Sequence, residues 1–249
     1  MICFTEVMAM SPLHVEDWGL MDYEDAWDRQ KRLIVELDEG RSPNVLALLE
    51  HPHTYTLGRG GTYDHLLASQ DELAKRGIRV YEIDRGGDIT YHGPEQLVGY
   101  PLLLLCGQRA DPRRYLRDLE EVLIRALADF GIAAGRKAPY TGVWVGDEKV
   151  AAIGVKFTRA RRHKGCIITS HGFALNVNTD LRYFNLIIPC GIREYGVTSM
   201  EKLLGKRVPM ADVKARVVHH FRDVFSGETE GDADKPGKAE GRPAPATES

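Results

Sequence analysis

The sequence predicts a mixed α+β domain with helices packed on one main sheet. Three observations lead there. Apolar runs of strand length outnumber helical stripes through the middle of the 249-residue chain. Turns, not long helical crossovers, join most of those runs. Two amphipathic stripes, Leu116-Leu119-Leu123-Leu127-Phe130 and Val213-Val217-Phe221-Val224, supply helices to cover a sheet. The 43% apolar content is enough for a sizeable core. The folded domain is expected to span residues 1–225. From about Ser226 the chain carries almost no large apolar residue, so residues 226–249 are expected to form a disordered tail.

Leu20, Tyr23, Trp27, Ile34 and Leu37 recur at helical steps, with a polar lapse at Gln30 and an end at Gly40, Ser42 and Pro43. VLALLE (45–50) reads as a buried strand. HPHTYTLGRGG (51–61) is rich in Gly, Pro and His and reads as an exposed loop. Ser69 with Glu72 is a capping box for a short helix that Gly77 ends, and IRVYEI (78–83) is a strand. Gly86 and Gly87 end one strand and begin another, and a turn follows at Gly93-Pro94. QLVGYPLLLL (96–105) is then a mostly buried strand, in which Pro101 argues for an edge or a bulge.

Asp111-Pro112 opens the helix that Gly131 stops. Residues 142–157 form a hairpin turning at Gly146-Asp147, and 166–178 a further strand. Asp180 caps a short turn. Thr198 with Glu201 is a second capping box, closed at Gly205.

Composition removes several function classes. A net charge of −3 argues against a general polyanion binder. No apolar run approaches the ~20 residues that span a bilayer, so no membrane association is expected. The N-terminal MICFTEVMAM has no basic region ahead of its apolar residues, so no signal peptide is read and a cytoplasmic location is expected. Cys3, Cys106, Cys166 and Cys190 form no C-x-x-C pair. In a reducing compartment they are expected to be free thiols, Cys106 and Cys166 as buried strand residues. The nine histidines show no H-E-x-x-H spacing, and no metal is expected. Neither a G-x-x-x-x-G-K-[ST] nor a G-x-G-x-x-G loop is present.

The chemistry-bearing stretch runs from Lys149 to Gly191. Cys190 lies between Pro189, which fixes the backbone, and Gly191, which allows close approach. It is either a small buried hydrophobe or a nucleophile with room for a carbonyl. Lys149 follows the Gly146-Asp147-Glu148 turn. It is either a solvated turn lysine or an inward amine beside a thiol. An ordinary thiol, pKa about 8.5, is about 3% thiolate at pH 7, and a neighbouring ammonium raises that fraction. Arg85, Gly86, Gly87, Thr90, Tyr91 and His92 crowd one turn-rich segment that suits a pocket wall or a polar hairpin rim. His171-Gly172 has the look of a pocket edge. TRARRHKG (158–165) gathers four basic side chains and His163, either a solvated loop or a docking site for an acidic protein. Without an aromatic platform it does not favour nucleic acid.

RGGDITYHGPEQ (85–96), KVAAIG (149–154), SHGFALNVN (170–178) and IIPCGI (187–192), in that order, resemble the octanoyltransferases of lipoate biosynthesis, the lipoyl(octanoyl) transferases. The likeness runs from about residue 15 to 225. It implies a fold similar to lipoate–protein ligases and the catalytic domain of biotin–protein ligases, a mixed, mainly antiparallel sheet with flanking helices. It implies that Cys190 carries the acyl group as a thioester and that Lys149 tunes it. Lys156, after the KVAAIG motif, is given no catalytic role. Substrate contacts are implied for Arg85, Gly86, Gly87, Asp88, Ile89, Thr90, Tyr91 and His92. The same holds for Ala152, Ile153 and Gly154, and for Gly172, Phe173 and Ala174.

The implied donor is octanoyl-acyl carrier protein. The implied acceptors are lipoyl domains of 2-oxoacid dehydrogenase complexes and the glycine cleavage H protein, with no cofactor. An ATP-dependent lipoate ligase and a non-catalytic lipoyl-domain or carrier binder are the alternatives. One departure is visible: Glu95 stands where the family usually has glycine. If that turn is left-handed, Glu95 costs roughly 1–2 kcal/mol.

Overall fold

In the computed structural model, which describes residues 12–191 and 194–226, the apolar run expected at 45–50 becomes a strand buried on both faces. Expectations for the N-terminal eleven residues, including Cys3, and for the tail after 226 lie outside the described residues. In chain order the strands and helices are β1 (Leu13–Leu20), α1 (Tyr23–Asp38), β2 (Asn44–Glu50), β3 (Thr54–Leu57), α2 (Gln70–Lys75), β4 (Arg79–Glu82), β5 (Ile89–His92), β6 (Gln96–Leu102) and β7 (Leu104–Leu105). There follow α3 (Pro112–Ala128), β8 (Gly135–Lys137), β9 (Tyr140–Val145), β10 (Glu148–Arg159), β11 (Ile167–Asn176), β12 (Gly196–Val197), α4 (Met200–Leu204) and α5 (Met210–Ser226).

The main sheet runs β1-β2-β6-β11-β10-β9-β8, with β7 beside β11 and β12 beside β10. A small sheet, β4-β3-β5, stands apart from it. Most pairs are antiparallel; β1–β2, β3–β4 and β10–β12 are parallel. This is the mixed, mainly antiparallel architecture with flanking helices.

Alternation divides each central strand between two cores. Leu46, Leu48, Leu97 and Leu175 join α3 and α5 on one face. Ala47, Leu49, Val98 and Ala174 join α1 on the other. That double burial is why VLALLE has no polar alternation. Ser69 and Asp111 accept from the first-turn N–H groups of α2 and α3, and Asp180 caps a 3₁₀ turn over Leu181–Leu186, as the sequence predicts; Asp22, not singled out there, does the same for α1. No helix among the described residues is long and apolar enough to cross a membrane.

Four expectations are corrected. First, Thr54–Leu57 lies inside the stretch expected to be an exposed loop, yet it is a buried strand paired with β4 and β5. Pro52 and Gly58 punctuate its ends, while its Thr and Tyr residues suit a sheet. Second, Pro101 lies on the central strand β6, not at an edge. The β6–β11 ladder breaks there without loss of register, and Thr169 bridges the gap. Its Oγ1 donates to the Pro101 carbonyl at 2.7 Å and accepts from Leu103 N–H at 3.0 Å.

Third, the cap of α4 is Ser199, whose Oγ accepts from Lys202 N–H at 3.2 Å, one residue beyond the expected Thr198. Fourth, Cys106 and Cys166 are not free thiols but form a disulfide. Leu105 pairs with Ile167 and Leu104 with Ile168 in the antiparallel β7–β11 ladder. The next residues outward, Cys106 and Cys166, therefore face each other directly. A further strand went unpredicted: β1 is half-exposed and carries Glu16 and Asp17, which hide its pattern.

Candidate active site

The two ends of the 149–191 stretch meet. Lys149 Nζ lies 3.4 Å from Cys190 Sγ. Several local features aim the lysine inward. It stands at the start of β10, where the register against β9 shifts between Lys149 and Ala151, and such an irregularity re-aims a side chain. Beside it on β9 is Gly142, whose φ is 128°. A Cβ at Gly142 would stand 2.7 Å from the Ala151 carbonyl and 3.3 Å from Lys149 Cε, so only glycine leaves room for the lysine stem. The amine lies 4.8 Å from the centroid of Trp144, a cation–π contact. Lys149 is 8% exposed, which removes the solvated-turn alternative.

Cys190 has φ 56° and ψ 18°, left-handed for a residue with a Cβ, at about 1–2 kcal/mol. Gly191 follows at φ 68°. The loop is held from outside. Ile188 N–H donates to the His65 carbonyl at 2.8 Å, and the Leu67 and Ala68 N–H groups donate to the Leu186 carbonyl. His65 Nδ1 and Asp88 Oδ2 are paired at 2.5 Å, and this pair packs on Gly191. A Cβ at Gly191 would lie 2.7 Å from Asp88 Oδ2 and 3.0 Å from His65 Cε1. His65 and Asp88 therefore clamp the segment that presents the thiol.

Cys190 and Lys149 open onto a cavity of about 470 Å³ between the α1 face of the main sheet and the small sheet. Ala152 and Ala174 are direct cross-strand partners on its floor, followed by the Gly154–Gly172 pair. Gly154 is needed because a Cβ would meet Arg85 Cδ at 2.9 Å. Gly172 serves the sheet instead: a Cβ there would strike the Gly99 carbonyl at 2.1 Å.

The far wall is polar and buried. Arg85, 7% exposed, donates through Nη2 to Thr56 O and Oγ1, both at 2.8 Å, and through Nη1 to Gly86 O at 3.0 Å. Burial lowers its pKa, while its charge interacts with Tyr23 and with Cys190 across the cavity. Tyr100 and His51 are paired, Oη to Nε2, at 2.7 Å, and His51 Nδ1 lies 2.7 Å from the Met21 carbonyl. Since a carbonyl only accepts, Nδ1 carries the proton and Tyr100 donates to Nε2. Burial pushes His51 down to about 4 and lowers His92 well below the usual value. His171 is also lowered by burial and keeps its Nε2 2.9 Å from Asp84 Oδ1. Hydrogen bonding from His171 first, then Lys156, holds the Asp84 carboxyl well below the usual range. Lys156, the rival lysine, is thus engaged by Asp84 rather than by Cys190.

The catalytic-domain model of lipoyl protein ligases A and B matches residues 22–222. The octanoyltransferase of Rubrobacter xylanophilus is 51% identical over 208 residues, 83% of this chain and 90% of that protein. The octanoyltransferase of Solibacter usitatus is 48% identical over 210 residues, 84% of this chain and 91% of that protein. The chain belongs to the lipoyl protein ligase A/B catalytic family. A solved structure from the archaeal lipoylation system of Thermoplasma acidophilum, described as a bipartite lipoate protein ligase and its E2 lipoyl domain, shares the fold, with a TM-score of 0.63 at 16% identity. The match covers 86% of this chain and 84% of that one.

Within this family member the residues singled out in the sequence separate into two groups. Arg85, Gly87, Asp88, Thr90 and His92 line the cavity, as do the 152–154 and 172–174 triplets. Gly86, Ile89 and Tyr91 do not. Gly86 N–H donates to the Val155 carbonyl at 3.0 Å, Ile89 enters the core under the small sheet, and Tyr91 Oη pairs with His53 Nδ1 at 2.7 Å. They build the wall from behind. Tyr23, Tyr100 and Tyr140 also line the cavity, and sequence reasoning missed all three. Tyr23 and Tyr100 sit in apolar patterns that read as core, and only the crossing of α1 over β6 brings them together. The basic stretch 158–165 runs from the end of β10 into the β10–β11 turn. Asp38 accepts the Arg161 and Arg162 N–H groups at 2.8 and 3.1 Å, pinning the loop to the end of α1.

Proposed function

We propose that the protein transfers an octanoyl group from octanoyl-acyl carrier protein to a lysine of lipoyl domains through a thioester on Cys190. The observation that carries this reading is the 3.4 Å approach of Lys149 Nζ to Cys190 Sγ at the cavity. The relatives named octanoyltransferase support the acyl group. Lipoyl domains of 2-oxoacid dehydrogenase complexes and the glycine cleavage H protein are the acceptors in this reading, and the cytoplasm is the compartment.

The proton cycle closes on itself. Its reactive form is a Cys190 thiolate beside a Lys149 ammonium. The thiolate attacks the carrier thioester carbonyl, and the tetrahedral intermediate expels the pantetheine sulfur, which takes a proton from Lys149. The neutral amine then removes a proton from the incoming lysine as it attacks the Cys190 thioester. Collapse releases the amide and restores the ion pair. Thioester to amide is downhill, so no nucleotide is required. Arg85 favours the negative charge that develops at the carbonyl in each step. Beyond the carbonyl the chain lies over Ala152 and Ala174, where each buried CH₂ contributes about 0.8 kcal/mol.

Mixing with octanoyl-carrier protein is expected to add one octanoyl mass, mapped to Cys190 by peptide mass spectrometry. Full turnover with an unmodified Cys190 would reject the covalent step. Turnover of free octanoate with ATP would favour the ligase alternative. Binding of either partner with no mass change would favour a non-catalytic binder.

A further inference from the structure

The last turns of α5 carry side chains that the proposed reaction does not use. One nitrogen each from His219 and His220 and one carboxylate oxygen of Asp223 lie within 4.8 Å of one another. Steps of four and three residues along α5 bring both imidazoles to the side of Asp223. His219 Nε2 is 3.4 Å from Asp223 Oδ2.

His220 is oriented from a second helix. Its Nε2 lies 2.8 Å from Asp129 Oδ2, at the C-cap of α3. An ionised carboxylate only accepts, so in neutral imidazole that nitrogen holds the proton and Nδ1 presents a lone pair. Nδ1 is buried and has no hydrogen-bond partner among the described residues. Leaving such an acceptor unmet carries a desolvation penalty that a bound cation would remove. A carboxylate that fixes the tautomer of a histidine whose other nitrogen ligates is the recurring outer arrangement of metal sites. Two imidazoles and one carboxylate suit zinc and its late-transition neighbours, not the oxygen-seeking magnesium or calcium. The H-H-x-x-D spacing differs from H-E-x-x-H, so a search of the histidines for that motif passes over it.

We propose that His219, His220 and Asp223 form a site for a divalent transition metal, zinc by its ligand set, with Asp129 as the positioning carboxylate that ties α5 to α3. The site belongs to the α3–α5 layer, on the opposite face of the main sheet from the Cys190 cavity. Its role is to fasten those helices rather than to act on the acyl group.

The test is calorimetric titration of ZnCl₂ into the full chain, previously dialysed against chelator, with MgCl₂ as the control. Cys190 is itself a zinc ligand by chemistry, so the titration is repeated in Cys190→Ala. The expected result is one zinc site that survives Cys190→Ala and ignores magnesium. His219→Ala and Asp223→Asn are each expected to weaken it about tenfold or more, and Asp129→Asn to weaken it about tenfold through the lost orientation of His220. His219 and Asp223 are half-exposed or more at the side chain, so these variants are expected to fold, which circular dichroism checks. No zinc binding, binding lost in Cys190→Ala, or binding unchanged in His219→Ala and Asp223→Asn overturns the proposal.

Discussion

Replacing Lys149 with methionine keeps most of the stem that passes over Gly142 and removes only the charged tip. The ammonium's named contacts are Cys190 Sγ at 3.4 Å and the Trp144 ring at 4.8 Å. Loss of the cation–π contact subtracts about 0.5–2 kcal/mol of stability. Against that, a buried ammonium carries a desolvation penalty of several kcal/mol, which methionine does not incur. Stability is therefore expected to hold or rise. In the proposed cycle the same amine gives a proton to the leaving sulfur and takes one from the incoming amine, so activity is expected to move the other way. Positioned acid–base catalysis contributes roughly 10²- to 10⁴-fold, so both half-reactions should slow by that factor, about 3–5 kcal/mol of barrier each. Rapid-quench intact-mass spectrometry follows acylation of Cys190 and its discharge to a lipoyl domain separately, and thermal denaturation follows stability. Lys149→Arg should not rescue, since a guanidinium stays protonated and can neither give nor take the proton the cycle needs. A well-folded Lys149→Met with both rates within about threefold of wild type would remove the amine from the cycle.

Ala174→Leu should overfill the cavity beside Cys190, an effect of about 1–3 kcal/mol, and cut octanoyl transfer more than butyryl transfer; equal losses for the two donors would show that the chain does not lie there. His65→Ala should slow Cys190 acylation by about ten- to a hundredfold through misplacement, with a smaller change in KM, while His65→Asn recovers part of the rate; an unchanged kcat would release the His65–Asp88 clamp from any role in positioning. Stability should fall as pH drops from about 6.5 to about 4, because His51, His92 and His171 stay neutral when folded but take protons when unfolded. The stabilisation is complete above the unfolded pKa, and for His51 alone about 3 kcal/mol is lost by the time pH reaches its folded value. Urea unfolding at pH 7.5 and pH 5 measures it, and equal unfolding free energies would contradict the buried-neutral assignment.

Most helices, the strand at 45–50 and the hairpin at 142–157 were legible because each is specified by its own neighbours. Asp111-Pro112 caps α3 with atoms two and three residues away. The features that escaped depend on residues remote in the chain. Cys106 meets Cys166 because of a strand register set across a separation of 60 residues. Lys149 turns inward because Gly142, on the partner strand, leaves a channel for it, and nothing within the KVAAIG motif states that. Tyr23 and Tyr100 read as core residues because a cavity wall and a core have the same apolar pattern.

Three non-glycine residues among those described hold a positive φ: Glu95, His171 and Cys190. Strain of this kind persists only where surrounding contacts over-determine it. At Glu95, away from the cavity, the compensation is visible. Its N–H donates to Glu50 Oε2 at 2.6 Å, its carbonyl accepts from Asn178 N–H and Thr179 Oγ1, and its carboxylate accepts from Asn178 Nδ2 and pairs with Arg207. The turn expected to be left-handed is so, and the glutamate is anchored at every polar group. At His171 the restraint is Gln30, the polar lapse in the first helical stripe, whose Oε1 accepts the His171 N–H at 2.8 Å. At Cys190 the restraint comes from the neighbouring segments, through His65, Asp88 and Gly191. The same left-handed φ thus rests on its own side chain at Glu95 and on the surroundings at Cys190. That difference leaves the Cys190 thiol free of structural duty and available to a carbonyl.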